Sequence, residues 1–373
     1  MDVLYLDHAV ELGGAEISLL DLLRTVDRGR LTPTLACPAG RLAERARALD
    51  VRVVDLALEK LKSRNPFASL ARLRRGGQRL RALLGGRRFQ VVHANTLRAA
   101  VYASQATRAS GLPFVWHLRD YDVPAVVRAG LMRSCDLAIA TSQFLARRHG
   151  RSSKIRIVPN GVDLAAVPTE SQTAAFRQEF GIPGEAPVVG CLGRVRPWKG
   201  QREFVRVAAR LAGDLPRAVF LIVGATLFPD PGRDYVAEVE GDAQRLGVAD
   251  RVLFTGHRED PMTALGAMDV VVNCSENEPF GRVLIEAMAC RRPVVAFRSG
   301  AVPEIVDDGN TGLLVGLGDT EAMAQVVLDL VRNPTRAEAY GEAGRQRVAA
   351  HFALASSTAR IQALYDGLAA DAP

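Results

Sequence analysis

Short apolar runs alternate with segments of helical spacing along most of this chain, and this alternation restricts its fold more than any other feature. In the first half, the apolar runs predict strands at residues 3–6, 34–37, 52–56, 91–94, 113–117, 137–141 and 155–158. The segments between them predict helices at residues 15–26, 42–49, 69–84, 97–110, 126–134 and 143–148. Because strand and helix alternate strictly, the sequence predicts a parallel, doubly wound α/β sheet.

The alternation pauses at VPNGVDLAAVPTES, where Pro159, Gly161 and Pro168 mark a break between domains. A second alternating set follows, with strands predicted at residues 188–192, 219–223, 252–254, 270–274, 294–297 and 312–315. After Asp319 the pattern predicts three consecutive helices, at residues 321–331, 336–351 and 354–368. A chain of 373 residues suggests about two domains. We place them at 1–165 and 166–352, with a terminal helical segment at 353–373.

The segment VVVNCSENEPFGRVLIEAMACRRPVV, residues 270–295, is the most informative part of the second domain. It predicts a buried strand, a polar loop at 275–279, a helix that opens at 280–281, and another buried strand. In open α/β sheets ligands bind at such a strand end, where the next helix presents unpaired N–H groups. Glu278 and Glu286 lie more than one helical turn apart, so we expect them to contact different parts of one elongated ligand. The alternative is a solvated loop and an exposed helix glutamate.

A basic loop, GCLGRVRPWKG, follows the first strand of this domain. Arg194 can bind a diphosphate with its planar fork of donors and Lys199 as a point charge, and Gly193 lets the main chain approach a ligand closely. The two cations are therefore candidates for binding a diphosphate. A solvated basic turn is the alternative.

In the first domain, Gly13 and Gly14 follow the first strand, and His117 ends a later one. His8, His93 and Asn95 also stand at predicted strand ends. A Gly-Gly turn has a purely steric explanation as well, and for a single histidine both a structural and a functional role stay open. The chain lacks G-x-G-x-x-G and an acidic residue after the second strand, which argues against a nicotinamide dehydrogenase.

Composition restricts the partners and the compartment. The formal charge is +7, and only four of the 48 basic residues are lysine. A GC-rich genome explains this arginine bias as well as a polyanionic partner does. We therefore predict that nucleic acid is not a partner. Five cysteines without a C-x-x-C pair indicate buried thiols in a reduced, cytoplasmic compartment and argue against a zinc site. The start has no basic region of a signal peptide, and the longest apolar run, 218–228, falls short of the roughly 18 residues of a membrane span.

The motif ENEPFGRVLIE resembles the E-x7-E element of the retaining GT-B glycosyltransferases, in particular family 4. The resemblance implies that Glu278 contacts hydroxyls of the donor sugar and that Glu286 binds the ribose. It also implies that the main chain approaches sugar and diphosphate at Phe280, Gly281, Arg282 and Val283. By the same resemblance, Arg194 and Lys199 match the G-R-x4-K-G element, Gly13 and Gly14 match a G-G-x-E loop beside donor and acceptor, and His117 contacts the donor sugar.

The resemblance implies a GT-B fold, with two Rossmann-like domains facing a cleft and a C-terminal helix that returns to the first domain. It implies a retaining, metal-independent transfer of a hexosyl unit from a UDP- or GDP-linked sugar to a glycan or lipid-linked acceptor, in cell-envelope or polysaccharide biosynthesis. The nucleotide sugar is a co-substrate, and no other cofactor is expected. The alternatives are a nucleotide-sugar epimerase or sugar phosphorylase on the same fold, and a non-catalytic nucleotide-sugar-binding protein.

Two departures from the family pattern stand beside these matches. Arg291 occupies the position of a usual glycine after EAMAC, and the sequence SGAVPE lacks the common second glycine before its Pro-Glu pair. The first departure affects a turn, whereas the second adds a side chain near the expected donor pocket and bears on the identity of the sugar.

The segment 60–88 carries ten basic residues and no acidic one. Its leucines at 70, 73, 80, 83 and 84 follow helical spacing, as in a cationic amphipathic helix that lies on an anionic membrane. We therefore predict peripheral contact with the inner face of the membrane through this segment. The alternative is a solvated arginine-rich helix whose leucines lie in the core.

Overall fold

The computed structural model describes residues 1–61, 66–86, 89–226 and 234–370. The chain divides into two compact units. The first unit comprises Met1–Gly161 together with Leu354–Pro373, and the second comprises Val162–Ala353.

Each unit is built on one parallel sheet. The strands of the first unit are β1 (Asp2–Leu6), β2 (Thr32–Cys37), β3 (Arg52–Asp55), β4 (Val91–Ala94), β5 (Phe114–Leu118), β6 (Leu137–Ala140) and β7 (Ile155–Ile157). Those of the second are β8 (Val188–Leu192), β9 (Val219–Val223), β10 (Val252–Gly256), β11 (Val270–Asn273), β12 (Val294–Phe297) and β13 (Leu313–Val315). The strand orders are 3-2-1-4-5-6-7 and 10-9-8-11-12-13, and neighbouring strands pair in parallel.

Helices connect these strands. In chain order they are α1 (Gly14–Thr25), α2 (Arg41–Arg47), α3 (Pro66–Gly85), α4 (Leu97–Ser110), α5 (Ala125–Ser134), α6 (Gln143–His149), α7 (Glu170–Glu179), α8 (Gln201–Leu211), α9 (Tyr235–Arg245), α10 (Pro261–Gly266), α11 (Arg282–Ala289), α12 (Val302–Ile305), α13 (Thr320–Arg332), α14 (Pro334–His351) and α15 (Leu354–Ala370). The two predicted α/β sheets and all thirteen predicted strands are thus confirmed.

Apolar cores lie on both faces of each sheet, which explains the unbroken apolar runs in the sequence. On β1, Leu4 and Leu6 belong to one core of the first unit, whereas Val3 and Tyr5 belong to the other. This alternation follows from the two-residue period of a strand. The second unit likewise has one core on each face.

The last helix, α15, packs on the first unit, as the resemblance implied. Its Tyr365 and Ile361 are buried in the same core as Val3 and Tyr5. Thr358 Oγ1 lies 2.6 Å from Thr25 Oγ1 on α1. The chain therefore returns to its first unit after completing the second.

The leucines of segment 60–88 decide between the two interpretations of that segment. Leu80 and Leu84 on α3 are buried, and Leu73 and Leu83 pack against the same core. The alternative with leucines in the core is therefore correct for these four residues, and the expected membrane-facing leucine surface is wrong for them. Four of the cations of the segment, at positions 62, 64, 87 and 88, lie outside the described residues.

The five cysteines are buried free thiols, as predicted. Within the described ranges, no helix has both the length and the apolar character that crossing a bilayer requires.

Candidate functional site

Each sheet reverses its strand order once, and the reversals coincide with the predicted ligand-binding loops. The order turns between β1 and β4 in the first unit, and between β8 and β11 in the second. At such a point the two connections leave in opposite directions and open a crevice beyond the carboxyl ends of the strands. The loops after β8 and β11 are therefore neighbours, as are the loops after β1 and β4.

A buried ion pair joins the two loops of the second unit. Lys199 ends a short 3-10 turn after β8, and its Nζ donates to Glu278 Oε2, after β11, over 2.6 Å. The side chains are 14% and 8% exposed, so the two charges are largely withdrawn from water and attract each other more strongly than surface charges do. The alternatives of a solvated basic turn and a solvated loop are thus wrong for Lys199 and Glu278.

The main chain around Glu278 is fixed by the loop after β12. Ala301 N donates to Glu278 O over 2.9 Å, and Asn277 N donates to Ser299 Oγ over 2.8 Å. Gly300 has a φ of 59°, and a Cβ atom there would lie 2.4 Å from Glu278 O. Only glycine therefore fits at position 300, and this close approach fixes the main chain of Glu278.

The side chain of Arg194 differs from that of Lys199 because it has no partner among the residues that the structure describes. The Arg194 carbonyl accepts a hydrogen bond from Gln201 Nε2 over 3.0 Å, which fixes the main chain after β8. Its half-buried side chain makes no hydrogen bond or ion pair with the part of the chain that the structure describes. The guanidinium group is thus available to an anion bound at this edge of the sheet.

Helix α11 begins at Arg282, later than the predicted opening at 280–281, because Gly281 has a φ of 101° and caps the helix in a left-handed conformation. The side chains of Phe280 and Val283 are buried in the core, so only their main-chain groups can contact a ligand. The first N–H groups of a helix lack intrahelical acceptors and carry partial positive charge. An anion beside Gly281 would be stabilised by them.

Glu286 is buried inside this helix rather than exposed. Its Oε1 accepts hydrogen bonds from Arg282 Nε over 3.1 Å and from Arg282 Nη2 over 2.8 Å. The alternative of an exposed helix glutamate is therefore wrong. The two carboxylates of the E-x7-E element each have their own cation, Lys199 for Glu278 and Arg282 for Glu286.

In the first unit, the two glycines of the predicted loop begin α1. Gly13 is the N-cap, and its N–H donates to Glu16 Oε2 over 2.8 Å. Gly14 is the first residue of the helix. Glu16 is 7% exposed, so a buried carboxylate fixes the conformation of this loop.

A polar chain that we did not predict connects the ends of β1, β4 and β5. Asp7 is fully buried; it accepts hydrogen bonds from His8 N over 2.6 Å and from Asn95 Nδ2 over 2.7 Å. Arg119 Nε donates to Asn95 Oδ1 over 2.7 Å. The available signal was positional, because Asp7 and Arg119 follow strands directly, as Asn95 does.

His117 lies on β5 with its ring buried. Its Nδ1 is 3.1 Å from His93 Nε2, whereas its Nε2 has no hydrogen-bond partner among the described residues. Burial, and then the Arg119 guanidinium and His93, hold the pKa of His117 well below its usual value. The residue is therefore neutral near pH 7, and one of its ring nitrogens is unused by the fold.

Glu16 gives the first unit a measurable pH dependence. Burial, and then Asp7, raise the pKa of Glu16 to about 7 from 4.5. The folded state therefore binds the proton more tightly than the unfolded state, so the free energy of unfolding falls as pH rises from 4.5 through 7. Glu16→Gln removes the ionisable group and with it this pH-dependent loss of stability. We expect the variant to raise the free energy of unfolding at pH 8 by up to about 3 kcal/mol and to leave it unchanged at pH 4.

Chemical denaturation at both pH values measures the effect of Glu16→Gln. Glu44→Gln changes an exposed carboxylate and serves as the control, with little effect expected at either pH. Equal effects of Glu16→Gln at pH 4 and pH 8 would contradict the raised pKa.

The structure places the predicted site residues in two groups. Gly13, Gly14 and His117 lie in the first unit; the second unit contains Arg194, Lys199, Glu278, Phe280, Gly281, Arg282, Val283 and Glu286. No cluster of three or more metal-ligating side chains of His, Cys, Asp or Glu is present in the described ranges.

Family models match both units. The model for glycosyl transferases group 1 matches residues 172–347, and the model for glycosyltransferase family 4 matches residues 12–166. Two relatives from Mycolicibacterium smegmatis are similar in sequence. An alpha-maltose-1-phosphate synthase is 31% identical over 74% of this chain and 78% of its own length. A GDP-mannose-dependent alpha-(1-6)-phosphatidylinositol monomannoside mannosyltransferase is 35% identical over 61% of this chain and 60% of its own length.

A solved structure agrees with these matches. The crystal structure of Anabaena Alr3699/HepE in complex with UDP-glucose has a TM-score of 0.85 and 26% sequence identity, covering 98% of this chain and 100% of that chain. Both family models, the relatives and the fold thus lead to the same conclusion: this chain is a glycosyltransferase with a GT-B fold and belongs to glycosyltransferase family 4.

Proposed function

We propose that this enzyme is a retaining hexosyltransferase that moves a sugar from a UDP- or GDP-linked donor to a glycan or lipid-linked acceptor without a metal ion. The observation that carries the proposal is the buried Lys199–Glu278 pair at the switch point of the second sheet, beside the N-terminus of α11. A relative that is named GDP-mannose-dependent and a structural neighbour bound to UDP-glucose support the two donor classes.

The charges of the second unit fit a nucleoside diphosphate. When the bond between sugar C1 and the diphosphate oxygen breaks, its electron pair stays on the diphosphate. Lys199 has three N–H donors, so it can keep its bond to Glu278 and still donate to a phosphate oxygen. Arg194, whose side chain has no partner among the described residues, and the first N–H groups of α11 would stabilise the same developing charge. These groups supply the positive charge that other enzymes take from a divalent ion.

Glu278 would contact the sugar rather than the phosphate. A carboxylate accepts hydrogen bonds from sugar hydroxyls, and its negative charge stabilises positive charge that develops at C1 as the leaving group departs. Lys199 orients this carboxylate, and Gly300 fixes its main chain. Retention of configuration rests on the family resemblance, since no side chain is assigned as a covalent nucleophile.

Donor screening tests the proposal. UDP- and GDP-linked hexoses are compared for thermal stabilisation of the protein, and the best donor is then incubated with glycan and glycolipid acceptors. We expect acceptor-dependent transfer, with the anomeric configuration of the donor kept in the product by NMR. Donor turnover that needs no acceptor would favour an epimerase or a phosphorylase, and donor binding without turnover would favour a non-catalytic binding protein.

Chelation tests the metal-independent part of the proposal. Because Lys199, Arg194 and the α11 amides carry the required positive charge, EDTA should leave the transfer rate unchanged. The rate is measured before and after dialysis against EDTA, and then with added Mg²⁺ or Mn²⁺. A loss that either ion restores would overturn this part.

Helix α3 retains one exposed stripe that could contact an anionic membrane. Phe67, Leu70, Arg74 and Arg81 are three, four and seven residues apart, which places them on one helix face. Phe67 is 80% and Leu70 43% exposed, and both arginines are exposed. We propose that this stripe, rather than the buried leucines, makes the peripheral contact of a cytoplasmic enzyme with the inner membrane surface.

Co-sedimentation with liposomes measures this contact. Arg74→Glu should weaken binding to anionic liposomes, because each cation near the surface contributes about 1 kcal/mol, and added salt should weaken it further. Arg79→Glu is the matched control: it makes the same charge change at an exposed position of α3 but on another face. Binding that is indifferent to lipid charge, or equally reduced in both variants, would exclude the stripe.

A further inference from the structure

Trp198 has no part in the proposed function, although it lies beside the central ion pair of the second unit. Lys199 Nζ is 4.4 Å from the centroid of the Trp198 ring and 2.6 Å from Glu278 Oε2. The Lys199 side chain is 14% exposed. The ammonium group therefore has a carboxylate on one side and an aromatic face on another, and it has little contact with water.

Core packing does not explain this tryptophan. Large aromatic side chains usually contribute to a core. The Trp198 side chain is only half-buried, and the two apolar cores that the described residues of the second unit form do not include it. The charged group that its ring faces is the Lys199 ammonium.

The main chain fixes the position of Trp198. This residue is the middle one of the 3-10 turn Pro197–Lys199. Its carbonyl accepts a hydrogen bond from Glu276 N, in the loop after β11, over 2.8 Å. Gly200 follows the turn with a φ of 73°, and a Cβ atom there would lie 2.2 Å from a carbonyl oxygen of the same loop. The loops after β8 and β11 are thus in contact on both sides of Lys199, so ring and ammonium start from fixed main-chain positions.

An aromatic face holds an ammonium group differently from a carboxylate. The π electrons attract the cation, but the ring has no net charge that would cancel the charge of the cation. A lysine side chain is long and flexible, so without such a contact its ammonium samples many positions. Lys199 has three N–H donors; Glu278 accepts from one, and the ring covers another side of the ammonium. An anion can therefore approach Lys199 only from the side that remains.

We propose that Trp198 is a positioning residue: its ring holds the Lys199 ammonium against Glu278, so that a remaining N–H is directed to a phosphate oxygen of the nucleotide-sugar donor. Trp198 acts through Lys199 and not by its own contact with the reacting atoms. The inference rests on the proposed function for the identity of the anion only. The effect of the ring on a bound diphosphate can therefore be measured without sugar transfer.

Fluorinated tryptophans test this inference with little change in side-chain shape. Fluorine withdraws electron density from the ring face, so each added fluorine weakens the attraction for a cation. Tryptophans with one, two and three fluorine atoms are introduced at position 198 by site-specific incorporation. The same series at Trp116 is the matched control, because the ring of this second tryptophan faces His149 rather than an ammonium or guanidinium group.

Two quantities are measured: the Kd for inorganic pyrophosphate, by calorimetry without any sugar, and kcat/KM for the donor. At position 198 we expect the Kd to rise and kcat/KM to fall with each fluorine, reaching about tenfold for three. At position 116 both should stay unchanged. A flat series at position 198, equal trends at both positions, or no binding of pyrophosphate to the unmodified protein would overturn the inference. Failure of the unmodified protein to transfer hexose would count against the proposed function, and the pyrophosphate series would still decide the inference.

A double-mutant cycle separates positioning from a merely structural role. Trp198→Leu removes the ring and keeps an apolar side chain, whereas Trp198→Phe keeps an aromatic face. We expect Trp198→Leu to lower kcat/KM about tenfold and Trp198→Phe to retain most of the activity. In the Lys199→Met background, Trp198→Leu should cause no further loss, because the ring acts through the ammonium. Equal losses in both backgrounds would overturn the inference. If Trp198→Leu does not fold, the fluorinated series decides.

Discussion

Replacing Lys199 by alanine should lower kcat/KM roughly 30- to 1,000-fold, or about 2–4 kcal/mol of transition-state stabilisation. Lys199 is the cation that touches Glu278, at 2.6 Å, and it lies beside the loop after β11. Its removal takes away positive charge at the diphosphate and leaves Glu278 unoriented. Initial-rate kinetics with the donor identified by screening measure the loss.

Stability separates the two consequences of this substitution. Lys199→Ala leaves the nearly buried Glu278 carboxylate without its partner, and breaking a buried pair in this way destabilises proteins by about 3–5 kcal/mol. The double variant Lys199→Met with Glu278→Gln removes both charges, so we expect it to regain stability but not activity. If the double variant regained activity, the pair would be structural only.

Arg194→Ala is the comparison within the same loop. The Arg194 side chain has no partner in the described ranges, so its removal should reduce kcat/KM by a similar factor without changing the free energy of unfolding. Near-normal turnover in both Arg194→Ala and Lys199→Ala would exclude this loop from binding the diphosphate.

The fold could be predicted from the sequence because strands buried on both faces give short, valine-rich apolar runs between turn residues, in contrast to the periodic helical segments between them. Where the sequence lacked such a contrast, prediction was weaker. The leucines of α3 would repeat at helical spacing whether a protein core or a membrane covered them. Their periodicity therefore shows that the helix has one apolar face, but not what packs against that face. Packing in the first unit covers four of the five.

In the candidate site, motif spacing predicted which residues end the strands but not their contacts. Lys199 and Glu278 are 79 positions apart, and Tyr365 and His93 are 272 apart. Nothing local in the sequence of α15 distinguishes Tyr365 from any other core tyrosine. Only the topology, which returns the last helix to the first sheet, brings its hydroxyl to His93.

The two departures from the family pattern have different physical explanations. Arg291, in place of a usual glycine, has a φ of 54° in a turn that requires a left-handed residue, and its side chain pairs with Glu342 over 2.8 Å. The turn is therefore kept at some conformational cost. In SGAVPE, Ala301 stands after Gly300 and is fully buried, with its N–H donating to Glu278 O. Its methyl group is accommodated inside the loop that supports Glu278.

Glutamine substitutions should distinguish the two carboxylates of the E-x7-E element. Glu286→Gln weakens the bond to Arg282 and removes the charge expected at the ribose. We expect the Kd for free nucleoside diphosphate to rise about 10- to 100-fold, the range of one charge-assisted hydrogen bond. Glu278→Gln should lower kcat by a comparable factor and leave that Kd nearly unchanged, because the Glu278 carboxylate contacts the sugar and not the nucleoside diphosphate. Calorimetry with the nucleoside diphosphate and steady-state kinetics measure the two effects.

Arg282→Ala provides the control for Glu286. It keeps the carboxylate and removes the side chain that donates to Glu286 Oε1 over 2.8 Å. If Arg282 orients Glu286, Arg282→Ala should lose nucleoside diphosphate affinity as Glu286→Gln does. The double variant should bind the nucleoside diphosphate little more weakly than either single variant, because the effects of two residues that act through one contact are not additive. A Kd that rises in Glu278→Gln but not in Glu286→Gln would mean that the two carboxylates exchange roles. The ribose would then lie beside the Lys199 loop and the hexose beside the first turns of α11.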